Sequence, residues 1–199
     1  MDVTPRRQAR GERRVGQLLD AAAEVFAESG YEAATTNAIA ARAGASPGTL
    51  YQFFPNKEAM AEALADRYLV RLGEIFAPDI GRLPVPALVY QLIDPLMAFS
   101  VASPGFIALF VSPAAPGNLA PSAQQVYKAI LTQVDELLES AGPEVPAGRR
   151  LRCAQVTVQV IKAMMPLVLA ASGAERTALI GELKQVMAGY LGPLREAAG

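Results

Sequence analysis

Between Ser46 and Lys57 the chain reads SPGTLYQFFPNK, and the groups best suited to recognition chemistry are gathered there. If this stretch is a helix beginning at Ser46, then Pro47, Gly48, Thr49, Tyr51 and Gln52 point outward. Gly48 lets a phosphate approach a helix N-terminus, whose free N–H groups favour an anion. Thr49 can meet a phosphate or a thymine methyl, and Gln52 can read adenine through paired hydrogen bonds. Tyr51 offers a hydroxyl to a nucleic-acid backbone, and Lys57 can sit over a phosphate. A blander reading makes Tyr51 and Phe53 ordinary core aromatics of a small bundle, and for Phe53 the two readings stand level.

Other chemistries are poorly served. The sequence has no histidine and one cysteine, Cys153. That removes histidine triads, histidine general bases and nearly all zinc sites. With no paired thiols and no phosphate loop either, the expectation is a protein that is not an enzyme and needs no metal or cofactor. A lone cysteine forms no intrachain disulfide, and the N-terminus carries no apolar signal segment, so a cytoplasmic location is expected.

The net charge is −1, so the molecule as a whole is not a basic nucleic-acid binder. The distribution differs from the total: Arg6, Arg7, Arg10, Arg13 and Arg14 face only Asp2 and Glu12 in the first fourteen residues. Such an arm can reach a DNA backbone or can be a solvated terminus.

The elements that must hold these groups are helices. Over 12–29, Val15, Leu18, Leu19, Ala22 and Phe26 form one stripe, and Gly30 follows as a C-terminal cap. A short helix starts at Thr35 or Thr36, buries Ile39 and Ala40, and ends at Gly44. Ser46 and Pro47 open a third helix, with Leu50 and Phe54 inward. Asn56 caps a fourth, striped by Met60, Leu64, Tyr68, Leu72 and Ile75 or Phe76. Two brief helices with caps at Thr36 and Ser46, separated by Ala43-Gly44-Ala45, have helix-turn-helix spacing, in which the second helix is presented to the major groove. Pro78, Gly81, Pro84 and Pro86 mark a boundary. Beyond it, helices are expected near 86–101, 104–112, 121–141, 148–172 and 174–196. No strand pattern persists, so the fold class is all-α.

The stretch TTNAIAARAGASPGTLYQFFPNKEAM resembles the signature of the TetR family of transcriptional regulators. There a Thr-rich helix start is followed by an Ala-Gly turn, then Ser-x-Gly-Thr-Leu-Tyr, an aromatic pair and Lys-Glu. The likeness runs from about Arg10 to Tyr68. It implies a helix-turn-helix DNA-binding domain at 10–57 and a helical ligand-binding and dimerisation domain at 58–196. It implies DNA contacts from Thr36, Ser46, Pro47, Gly48, Thr49, Tyr51, Gln52 and Lys57, with Leu50 and Phe54 as core. The implied protein is a homodimeric repressor released from its DNA operator by a small, largely apolar effector. Two positions depart from the pattern. Pro47 stands where the family often has a basic residue, and Phe53 replaces a frequent polar aromatic; both changes bear on which operator is read.

The second half supports a dimer independently. Leu179, Leu183, Val186, Tyr190 and Leu194 recur at near-heptad spacing. Residues 153–171 are apolar nearly all round, with Val156, Val160, Met164 and Leu167 on one side and Val158, Ile161, Met165 and Val168 on another. Such a helix needs partners on every face. Pairing both helices with their copies gives a four-helix interface. The same stretch has the length of a membrane span, but Gln155, Gln159, Lys162 and Pro166 interrupt it. A central Lys alone costs about 2.5–3.5 kcal/mol on insertion scales, so no membrane partner is expected. For the effector, the candidates are Met97, Phe106, Phe110, Gln159 and Met164, each also explained by core packing or a place at the rim. Asp94 could meet a cationic ligand, though Asp94-Pro95 reads better as a helix start.

Overall fold

The computed structural model describes residues 4–76, 83–111 and 121–194, with side chains from residue 9 onward. Among these residues there are helices and turns and no strand. The part of the boundary at 77–82, the loop at 112–120, the arm side chains of Arg6 and Arg7 and the tail beyond 194 lie outside them.

Helix α1 (Thr4–Ala33) is longer than its apolar stripe and breaks where the sequence places a cap: Gly30 has φ 77° and ψ 160°. Its stripe of Leu18, Leu19, Ala22, Val25 and Phe26 is buried. Helix α2 (Thr36–Arg42) packs Ile39 and Ala40 against α1. Its cap is Thr35, whose Oγ1 accepts from the Ala38 N–H at 3.1 Å, so Thr36 is the first helical residue and not the cap. The helix ends in a left-handed turn at Gly44 (φ 58°). The Ala45 N–H bonds Ala40 O at 2.9 Å and the Gly44 N–H bonds Ala41 O at 3.1 Å, which is the Schellman pattern.

Helix α3 (Pro47–Tyr51) begins as the Ser46-Pro47 pair predicts: Ser46 Oγ accepts from the Thr49 N–H at 3.1 Å. Leu50 and Phe54 face the core. Asn56 caps α4 (Lys57–Ile75) through the Ala59 N–H at 2.8 Å. At about 1.5 Å per residue, its nineteen residues make a rod of about 28 Å from the N-terminal unit into the second half.

The second half holds α5 (Val85–Ala102), α6 (Pro104–Phe110), α7 (Pro121–Ala141), α8 (Ala147–Ala170) and α9 (Gly173–Leu191), close to the expected ranges. One reading is corrected. Asp94-Pro95 starts no helix: Pro95 lies inside α5, which runs on through it. Asp94 is held instead by Lys184 of α9, at 2.6 Å. Helices α5 and α8 are each long and apolar enough to cross a membrane by length and composition; here both contribute buried faces to the core.

Helix α6 joins the halves. A Cβ on Gly105 would stand 2.7 Å from Ala23 Cβ and 2.8 Å from Ala23 Cα, so glycine is what lets α6 lie this close to α1. On its other side Phe106 meets Tyr68 of α4 and Phe99 of α5 edge-on, at centroid distances of 5.5 and 5.0 Å, and Phe110 meets Tyr68 edge-on at 5.9 Å. Such pairs add about 0.5–1.5 kcal/mol each beyond their burial.

Candidate nucleic-acid interface

The outward side of α3 is open. Ser46, Pro47, Gly48, Tyr51 and Gln52 are exposed and Thr49 is half-buried. A Cβ on Gly48 would meet only Ser46 Oγ, at 3.9 Å, so the backbone there has free approach from outside. The hydroxyls are ordered among themselves: Ser46 Oγ and Thr49 Oγ1 are 2.9 Å apart. Tyr51, more than half exposed, places its hydroxyl 2.9 Å from Thr36 Oγ1. Thr36, at the start of α2, and Tyr51, at the end of α3, therefore share one face of the unit. Phe53 is 37% exposed and Phe54 is buried, so the aromatic pair divides between surface and core.

Lys57 is placed differently from the rest. Its ammonium donates to Tyr31 O at 2.9 Å, Glu32 O at 3.0 Å and Ala34 O at 3.5 Å, and lies 4.5 Å above the Tyr31 ring. All three N–H donors thus meet carbonyls at the end of α1. The Tyr31 hydroxyl donates to Glu58 at 3.2 Å, and burial, aided by that carboxylate, pushes its pKa up to about 12. Lys57 and Glu58 together hold the 31–35 turn, and with it the start of α2. On the other flank Arg42 grips Glu24 and Glu28 of α1 at 3.0 and 2.5 Å, holding the Glu28 carboxyl below its ordinary range. Sequence pattern did not single out these two braces, whose partners lie on other helices.

A second feature lies in the C-terminal half. An apolar chamber of about 50 Å³ is walled by α5, α7, α8 and α9, with Leu88, Leu92, Leu96, Leu138, Ile161 and Met187 among its lining. Phe76, the C-cap of α4, is another wall. The volume suffices for only a few water-sized groups, well below the roughly 300–1,000 Å³ of drug-sized pockets.

Two family models match this chain. Residues 18–64 match the bacterial regulatory proteins of the tetR family, and residues 84–191 match the tetracyclin repressor-like C-terminal domain. The chain belongs to the TetR family. Over 66 residues it is 48% identical to the HTH-type transcriptional activator FasR of Mycolicibacterium smegmatis, which is 33% of this chain and 30% of that protein. The chain spans about a third of the length of the curated relatives it first matches. Among solved structures, the fatty acid degradation regulator FadR from Bacillus halodurans superposes with a TM-score of 0.72 at 23% identity, covering 92% of this chain and 96% of that one. FadR from Bacillus subtilis in complex with stearoyl-CoA superposes with a TM-score of 0.60 at 21% identity, covering 89% and 96%. At those identities the likeness concerns the fold.

Within this TetR-family chain, the residues expected at the DNA are brought together on one face, apart from Lys57's ammonium. The residues expected at an effector are scattered. Met97 is buried in the core, and Phe106 and Phe110 belong to the aromatic cluster at the α4–α6 junction. Gln159 and Met164 are half-exposed on α8. None of the five lines the apolar chamber. Its walls are mostly Leu, Ile and Val residues spaced along four helices, a pattern that no window of sequence distinguishes from plain core.

Proposed function

We propose that this chain is a homodimeric transcriptional repressor that leaves its operator when a small apolar effector enters the second half. The observation that carries the DNA reading is the exposed face of α3 joined to Thr36 through the Tyr51 hydroxyl. Thr36, Ser46, Pro47, Gly48, Thr49, Tyr51 and Gln52 form the contact set. Gln52 reads a base edge and the hydroxyls hold phosphates. Lys57 adds a positive charge beside the backbone; a phosphate competes there with three carbonyls. Arg10 and Arg13 are exposed on α1, on the same arm, and extend the basic surface.

The dimer reading is supported by what α8 and α9 leave uncovered. On α8, Val158, Met165 and Val168 are buried while Leu151, Val156 and Leu167 are exposed. On α9, Leu183 and Met187 are buried while Val186 and Tyr190 are exposed, Val186 by 54%. A second copy would cover this apolar face and place two α3 helices about 34–36 Å apart, one helical turn of DNA.

Effector coupling runs through α4. Its N-terminal end braces the helix-turn-helix through Lys57, and its C-terminal cap Phe76 is a wall of the chamber. A chamber this small must widen to take a ligand, and moving Phe76 moves the rod. Such coupling is typically about 1–3 kcal/mol. The stearoyl-CoA carried by the B. subtilis neighbour makes an apolar chain a reasonable class of effector. The test is a gel-shift titration of DNA taken from beside the gene. The protein is expected to retard it, and short apolar amphiphiles are expected to release it. If every compound that binds the protein leaves operator affinity unchanged, the effector half of the proposal fails.

A further inference from the structure

Among the described residues, two buried side-chain polar atoms lack a hydrogen-bond partner, Thr157 Oγ1 and Gln133 Oε1. They belong to two neighbouring cavities. Thr157 lines the apolar chamber. Gln133 lines a second, more open cavity of about 290 Å³ between α4 and α7, and the two cavities share Phe76 and Leu137 as walls. The remaining walls of the second cavity are Gly73, Glu136 and Ser140. Gln133, Glu136 and Ser140 recur at three- and four-residue spacing, so one face of α7 carries all three. Opposite them Gly73 leaves the space open; a Cβ there would stand 3.8 Å from Gln133 Nε2.

The charge at this mouth has a sign. Ser140 donates to the Glu136 backbone carbonyl at 3.0 Å. The neighbouring carboxylates Asp135 and Glu139 are both taken by Arg150 of α8. Glu136 is exposed and forms no ion pair among the described residues. A ligand spanning the two neighbouring cavities would therefore meet the Glu136 carboxylate and the Gln133 amide in the outer one and Thr157 in the chamber. Gln133 Nε2 is the amide atom nearest the Gly73 wall and Oε1 is buried, so the amide offers an N–H, or an oxygen after half a turn, and Glu136 is what sets the preferred charge.

We propose that the effector is an apolar chain with an uncharged or cationic head that donates hydrogen bonds, such as an amide or amine. Its chain fills the chamber, and its head rests between α4 and α7, donating to Glu136 beside the Gln133 amide. This rests on the effector reading given above and fixes the chemistry of that effector. A carboxylate head, or the phosphates of coenzyme A, would meet the like charge of Glu136. A plain hydrocarbon would offer nothing to the Gln133 amide or to Glu136.

The experiment is calorimetric titration of the full-length protein at neutral pH with octanamide, octylamine, octanoate and octanoyl-coenzyme A. Octanamide and octylamine are expected to bind at least tenfold more tightly than either anion. In Glu136→Gln, octanoate should gain several-fold and octylamine should lose, while octanamide stays within about twofold. Glu136 is exposed, so this variant is expected to fold as the native chain does. The inference is overturned if an anion binds as tightly as octanamide, if Glu136→Gln leaves the preference unchanged, or if none of the four binds. Gel shifts on the same preparations keep the two readings apart. Retained operator binding with no head-group preference overturns this inference alone, whereas absent operator binding overturns the repressor reading.

Discussion

Thr36 and Tyr51 stand fifteen residues apart in sequence, yet their hydroxyls are within hydrogen-bonding distance. The pair holds the aromatic ring, so in the proposed complex Tyr51 would meet DNA in one orientation. Tyr51→Phe should weaken operator binding by up to about tenfold through the lost hydroxyl, and Tyr51→Ala by more, since a good contact is worth about 1–3 kcal/mol; fluorescence anisotropy on a labelled operator measures both. Lys57→Ala should weaken binding nearly equally for all sequences, because its brace acts on the 31–35 turn and, in the proposed complex, its charge would act on phosphate. At Thr157 the sign reverses. Replacing a buried hydroxyl that has no partner with an apolar group of the same shape can be nearly neutral or stabilising. Thr157→Val is therefore expected to hold or raise the melting temperature, and a fall of several degrees would mean that the hydroxyl is bonded. Caps at Ser46 and Asn56 were legible in the sequence because their partners lie three residues on. Asp94 was misread because its partner, Lys184, lies ninety residues away.

Helix α6 is only seven residues long, but it touches both halves. Its N-terminal turn lies on α1 at Gly105, and its phenylalanines clasp Tyr68 of α4. Gly105→Ala would force a methyl against Ala23 backbone atoms under 3 Å away, so α6 must shift. Overpacking of that kind costs about 1–3 kcal/mol, read as a lower midpoint in urea unfolding. If instead the midpoint is unchanged, α6 does not lie against α1 this tightly. The helices themselves were legible from period and punctuation, down to Gly30 and Gly44 as left-handed stops. What period could not show was which apolar helix faces line a cavity, which pack the core and which stay open. Phe106 and Met97 look like pocket residues by type; here Phe106 packs in the aromatic cluster and Met97 in the core, and neither lines the chamber. The chamber walls look like core because, with so little space inside, they are nearly core.

Across the whole molecule, the uncovered sides of α8 and α9 are where the proposed second copy would fit. Leu167→Glu together with Val186→Glu should convert a dimer into a folded monomer by sedimentation, because both side chains are exposed in the single chain and contribute little to its core. Two α3 helices would then no longer be held at one helical turn, and operator affinity should fall far more than either mutation's distance from DNA would suggest. The slightly acidic total charge is compatible with this arrangement, since the basic arm is concentrated at one end. The most direct test of the central claim is operator affinity across a salt series for the native chain and for Gln52→Ala combined with Tyr51→Ala. The account predicts tight native binding that falls steeply with salt, and a double variant that binds operator no better than unrelated DNA. Equal affinity of the double variant and the native chain for the operator would contradict the assignment of α3 as the reading surface.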